Sequence, residues 1–169
     1  DNYKAQWKYA PLYVDRHEAI EYFADNNMLA DLSLGLNDKY YGIRSFTIDK
    51  LLNNPAPVSN PTVLQAVERI AQNDTDNKTK AKAITLLATV ADPKYKYIFD
   101  NGINDSSYSV AGASLLGLSN LDPANAYTLV KKYAADAKGD LDEIVTTIIV
   151  LTGKEEDYDM ILQKYDALA

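Results

Sequence analysis

The chain has 169 residues, a length for one domain or for a piece of a larger protein, and 17 basic against 24 acidic residues give it a net charge of −7. That acidity argues against a nucleic-acid binder, whose affinity comes largely from Lys and Arg neutralising phosphates. Cysteine is absent and His17 is the only histidine, which excludes disulfides, thiolate nucleophiles, Cys-ligated metals and multi-histidine metal sites.

The opening Asp1-Asn2-Tyr3 carries neither an initiator Met nor a signal-peptide pattern and reads as the start of an excised segment. Residues 1–14 read as an irregular lead-in or junction segment. It is crowded with Trp7, Tyr9, Leu12 and Tyr13, which either cap the first helices or meet a neighbouring domain. Helical periodicity then runs over about 15–26, 28–36, 39–53, 61–72, 76–91, 93–101, 106–120, 123–137, 140–152 and 155–167. Asp15 is the expected cap of the first of these. Asn60-Pro61, Asp92-Pro93 and Asp122-Pro123 are start signals: Asn or Asp accepts from unpaired N–H groups, and proline has no N–H to lose. Asp140 with Glu143 resembles a capping box, and Gly139 and Gly153 read as helix stops. The stretch from Asn53 to Asn60 is the longest loop and the expected site of nicking. Around Ile144 to Leu151 lies the longest apolar run, far short of the roughly 18 residues of a membrane helix. The excess of Tyr over Phe, 13 to 3, reads as base-composition bias of the source genome.

A repeat underlies this order. Asp38, Asp74, Asp105 and Asp140 each open a segment with an apolar or small residue at offsets five, ten and thirteen, on one face of a helix, until Gly153 ends the pattern. The offsets predict that Ile48, Ile84, Leu87 and Leu115 are buried while Lys78, Lys82 and Lys131 are solvated. Each period is a Pro-started helix, a turn and an Asp-started helix. The chain is therefore expected to be all-α, an α-α superhelix over residues 15–169 of about four to five helical hairpins, resembling HEAT or armadillo repeats. A basic residue six after the aspartate suggests a ladder between repeats through Asp38, Arg44, Asp74, Lys80, Asp105 and Asp140. Ala111 and Thr146 break the basic series, leaving the last two repeats to apolar packing.

No catalytic constellation survives inspection. His17-Glu18 begins a zinc-protease HExxH, but its second histidine is Glu21, and one imidazole does not hold a catalytic zinc. Asp74/Asp76, Asp140/Asp142 and Asp157/Asp159 lack the spaced ligands and glycine of a calcium loop, and helix capping accounts for them. There is no glycine-rich phosphate loop. Ser106, Ser107 and Ser114 have no histidine partner.

The runs Trp7-Lys8-Tyr9-Ala10-Pro11-Leu12-Tyr13-Val14-Asp15-Arg16-His17-Glu18-Ala19-Ile20 and Leu36-Asn37-Asp38-Lys39-Tyr40-Tyr41-Gly42-Ile43-Arg44 resemble the C-terminal region of M1-family zinc aminopeptidases of the Bacteroidetes type. There a catalytic HExxH domain lies upstream of a helical superhelix. The resemblance implies a non-catalytic module that packs beside the upstream catalytic domain of the same polypeptide and helps enclose the peptide cavity. Zinc is then expected only in that domain, since none of its ligands match positions here. A bacterial source is implied, exported or periplasmic if the parent carries a signal peptide. The alternative is a free-standing HEAT-like scaffold that binds a protein partner.

Overall fold

The computed structural model describes residues 2–54 and 58–166, and among them every regular element is helical. The α-helices are α1 (Asn2–Tyr9), α2 (Tyr13–Asp25), α3 (Leu29–Leu32), α4 (Tyr41–Leu52), α5 (Pro61–Asn73), α6 (Asn77–Val90), α7 (Lys96–Gly102), α8 (Tyr108–Leu121), α9 (Ala126–Lys131), α10 (Asp140–Thr152) and α11 (Tyr158–Asp166). Short 3-10 turns extend α3 at Ser33–Asn37 and open α7, α9 and α11.

Two rows result. Helices α2, α4, α6, α8 and α10 pack in that order, each on the next, as an inner row, while α1, α3, α5, α7 and α9 lie against them as an outer row. Composition follows position. In α5 the apolar residues Val63, Leu64, Val67, Ile70 and Ala71 form one stripe, because only one side of that helix meets protein. By contrast α6 is flanked by α4, α5 and α8, and buries small residues such as Thr79, Ala81, Ala83 and Ala88 beside Ile84 and Leu87. Ile48, Ile84, Leu87 and Leu115 are at most 1% exposed. Lys78 and Lys131 are exposed, but Lys82 departs from expectation. Because α6 packs on α4, the half-buried Lys82 ammonium donates to Ser45 Oγ at 2.9 Å and Asp49 Oδ2 at 2.5 Å.

The core has two continuous parts. One spans α2 to the middle of α8, the other joins α8, α9 and α10, and Leu118 packs against both. At Gly112 α8 comes so close to α10 that a Cβ would stand 2.9 Å from the Asp140 carbonyl oxygen.

Several helix starts differ from the sequence reading. Residues 2–9 are helix, not irregular lead-in. Tyr3 and Trp7, four apart on one face, pack on the core, and Tyr3 stacks on Tyr22 at 3.9 Å between centroids. One turn with two apolar contacts is too short a pattern to stand out in sequence. Helix α2 starts at Tyr13 with no side-chain cap, so Asp15 lies in its first turn, where a carboxylate favours the helix dipole. Asn60 does cap α5, accepting from the Thr62 and Val63 N–H groups at 2.9 and 3.3 Å. Asp92 accepts from Lys94 N–H at 3.0 Å but opens a 3-10 turn, and Asp122 instead accepts from the Asn125 side chain at 2.8 Å. Gly139, at φ +52°, is the residue before α10 and not a stop, so Asp140 is the first helical residue and forms no capping box. Gly153 closes α10, donating to the Ile149 carbonyl at 2.6 Å. The helix expected over 123–137 is only six α-helical residues long, bounded by a 3-10 turn and looser turns. Residues 55–57 of the expected nicking loop and residue 167 of the last expected helix lie outside the described residues.

Candidate functional site

Two features are organised enough to carry a role. The first is the line of aspartates at the turns into the inner row. One oxygen of each folds back on its own turn: Asp38 Oδ1 accepts from Tyr40 N–H at 2.8 Å, Asp74 Oδ1 from Asp76 N–H at 3.0 Å, and Asp105 Oδ1 from Ser107 N–H at 2.8 Å. An aspartate that bonds the N–H two residues on sets the turn. In all three the helix begins three residues after it, at Tyr41, Asn77 and Tyr108.

The carboxylates also accept from the preceding inner helix. Arg16 grips both oxygens of Asp38 from Nε and Nη2 at 2.8 and 3.0 Å, and Arg44 grips both of Asp74 at 2.7 and 2.9 Å. Two parallel N–H donors suit the guanidinium and hold the geometry of each pair. Lys80 lies 3.6 Å from Asp105, and the Ser109 hydroxyl donates to Asp140. In each arginine Nη1 turns back to its own repeat, Arg44 to the Asp38 carbonyl at 2.8 Å and Arg16 to the Pro11 carbonyl at 3.0 Å and that of Ala10 at 3.3 Å. Ala10 therefore stands six residues before Arg16, where Asp38 stands six before Arg44.

The rungs weaken along the chain. The carboxylates of Asp38 and Asp74 are 2% exposed, that of Asp105 is 25%, and among the described residues Asp140 meets the Ser109 hydroxyl in place of a cation. Burial by itself would push the Asp38 and Asp74 carboxyls up. The bonds from Arg16 and Arg44, with the turn N–H groups, more than offset this and hold both below the ordinary carboxylate range. A further clamp, outside the repeat spacing, joins Lys131 of α9 to Asp157 at 2.7 Å. The Lys131 ammonium and then the Lys154 N–H hold the Asp157 carboxyl at about 2. Sequence reasoning missed Arg16 because no aspartate precedes it by six residues. It missed Ser109 because the expected rung position, Ala111, is inert.

A surface at the N-terminal end is the second feature. Tyr9, Leu12, Tyr13 and Val14 are exposed by 72, 62, 51 and 58%. The Tyr13 ring lies 4.6 Å from Tyr40, which lies 4.9 Å from Tyr41, extending the patch onto the start of α4. Trp7 is not part of it. Its indole is half-buried against the core, and its Nε1 is enclosed with no hydrogen-bond partner among the described residues. Of the four expected junction residues, Tyr9, Leu12 and Tyr13 are exposed and Trp7 turns inward.

His17 is half-buried against Phe46, with ring centroids 4.4 Å apart. Among the described residues no three His, Cys, Asp or Glu side chains converge on a common point, and no helix is long and apolar enough to cross a membrane. The rungs are ion pairs and hydrogen bonds already satisfied, which suits them to holding helices in register.

No protein-family model matches the chain, and no curated protein matches it.

Proposed function

We propose that this chain is a non-catalytic helical-repeat module of the HEAT/armadillo type, whose N-terminal aromatic surface packs against a catalytic domain that precedes it in the same polypeptide. The supporting observation is that Tyr9, Leu12, Tyr13 and Val14, close together in the chain between α1 and the start of α2, are all more than half exposed. Large apolar side chains left in water close together in the chain suit an interaction site. The Asp–base ladder supports the repeat assignment, since it recurs at one turn position and ties α2 to α4, α4 to α6 and α6 to α8.

In its more specific form the preceding domain is an M1-type zinc aminopeptidase, on the resemblance of residues 7–51, and the repeats help wall its peptide cavity. Zinc and the chemistry then belong to that domain. Assays with aminoacyl reporter substrates test this. The 169-residue chain is expected to give no chelator-sensitive turnover, whereas the parent polypeptide is expected to give it. Turnover by the isolated chain overturns the non-catalytic assignment. A parent without chelator-sensitive aminopeptidase activity overturns the specific form and leaves the scaffold reading.

A further inference from the structure

Of the three arginines, Arg16 and Arg44 each grip an aspartate, whereas Arg69 of α5 forms no ion pair among the described residues. Its guanidinium is nonetheless held in place. Nη2 donates to Asn37 Oδ1 at 2.8 Å and to the Leu36 carbonyl at 3.3 Å, at the end of the 3-10 turn that precedes Asp38. Those bonds use both hydrogens of Nη2, and the three N–H groups on Nε and Nη1 have no acceptor among the described residues. A cavity of about 350 Å³ opens there between the turn and α5, lined by Asn37, Asp38, Arg44, Arg69, Asp74 and Thr75.

Hydrogen-bond accounting gives this cavity its sign. Asp38 and Asp74 each accept from two nitrogens of an arginine and from a turn N–H, and at 2% exposure neither carboxylate is left to attract a cation. Arg44 is spent too, with Nε and Nη2 on Asp74 and Nη1 on the Asp38 carbonyl. What remains is donors. Because Arg69 can only donate, the Asn37 oxygen must face it, which leaves the Asn37 amide N–H groups without a partner among the described residues. We propose that this cavity binds a carboxylate, which accepts hydrogen bonds from the free N–H groups of Arg69 and from the Asn37 amide. Guanidinium groups favour carboxylate and phosphate oxygens. One positive charge is in surplus here, so a monoanion balances it, whereas a phosphate dianion would set extra negative charge beside Asp38 and Asp74. Leu36 and Ile70 also line the cavity, which suits a carboxylate borne on a small apolar group.

The probe is N-acetyl-leucine, titrated into the full chain at constant ionic strength and followed by NMR at the arginine Nε–H groups, of which there are only three, and at the backbone amides of residues 36–39. The Arg69 signal is expected to shift with saturation, while those of Arg16 and Arg44, already bonded to Asp38 and Asp74, stay in place. N-acetyl-leucine amide, which lacks the charge, should give no such shift. Arg69→Gln should weaken binding about tenfold or more, as loss of a charge-assisted hydrogen bond requires, and Asn37→Leu is an independent variant expected to weaken it as well. Unmoved Arg16 and Arg44 signals show that each variant keeps its fold. Lys39→Gln removes an equal charge outside the cavity lining and should change affinity by no more than about twofold, since an exposed charge at that distance is screened. A capped tripeptide with a central glutamate separates the two sources of carboxylate: tighter binding of the peptide marks an acidic side chain, and tighter binding of the probe a free or C-terminal carboxylate. A shift that rises without saturating, an equal response to the amide, an equal loss with Lys39→Gln, or tighter binding of inorganic phosphate than of either carboxylate overturns the proposal.

Discussion

Arg44 holds Asp74 with two parallel hydrogen bonds while its remaining nitrogen donates to the Asp38 carbonyl, so one guanidinium joins two successive turns of the repeat. The Arg44 side chain is 15% exposed and that of Asp74 2%. Arg44→Ala strands a buried carboxylate and is expected to cost about 3 kcal/mol in urea unfolding. The Arg44→Ala/Asp74→Ala double variant should cost clearly less than the two single losses summed, because the stranded charge is gone. Strict additivity would show that the pair is not coupled.

The pH dependence follows from the depressed carboxyls. A group whose folded pKa lies below its unfolded value stabilises fully above the unfolded value, near 3.9 for aspartate, and loses this as pH falls through the folded one. For Asp157, held at about 2, the window runs from about pH 4 down to about pH 2. The stability gap between wild type and Asp157→Asn is therefore expected to be largest above pH 5 and to shrink through that window. A gap that widens on acidification contradicts the clamp.

Position ten of the repeat offers an internal comparison. Ile84→Ala, at 1% exposure, is expected to cost about 2–5 kcal/mol by leaving a cavity. Val150→Ala, at 57%, should stay within about 0.5 kcal/mol in the isolated chain. Similar losses at the two sites would mean that the register is misassigned.

Gly112 is expected to resist enlargement. A Cβ there meets Asp140 backbone oxygen at 2.9 Å and Leu141 Cα at 3.1 Å, and backbone cannot swing aside as a side chain does. Gly112→Ala should cost about 1–3 kcal/mol by forcing α8 and α10 apart. A neutral or stabilising outcome in thermal or urea unfolding would contradict that close approach.

The helical class was legible because apolar residues recur with helical spacing behind Asp38, Asp74 and Asp105, and because Asn60-Pro61 is a strong local start. Arg44 and Lys80 were legible for the same reason: they fall at a fixed offset from an aspartate. Arg16 was not, since Ala10 occupies the aspartate position and its Nη1 partners are backbone carbonyls, which have no sequence signature. Helix α1 was also hidden, because its tertiary contacts at Tyr3 and Trp7 outweigh a weakly helical composition. Nor did spacing reveal that Trp7 turns inward while Tyr9 and Tyr13 face out. That depends on where α1 crosses α2.

The central claim is that the N-terminal aromatic surface is covered by a preceding domain, and hydroxyl-radical footprinting tests it most directly. Oxidation rates at Tyr9, Leu12 and Tyr13 are compared between the 169-residue chain and the parent polypeptide, with Tyr97, 44% exposed on α7, as the internal reference. The account predicts that all three rates fall severalfold in the parent while that of Tyr97 is unchanged. Equal rates at Tyr9, Leu12 and Tyr13 in the two proteins would contradict it.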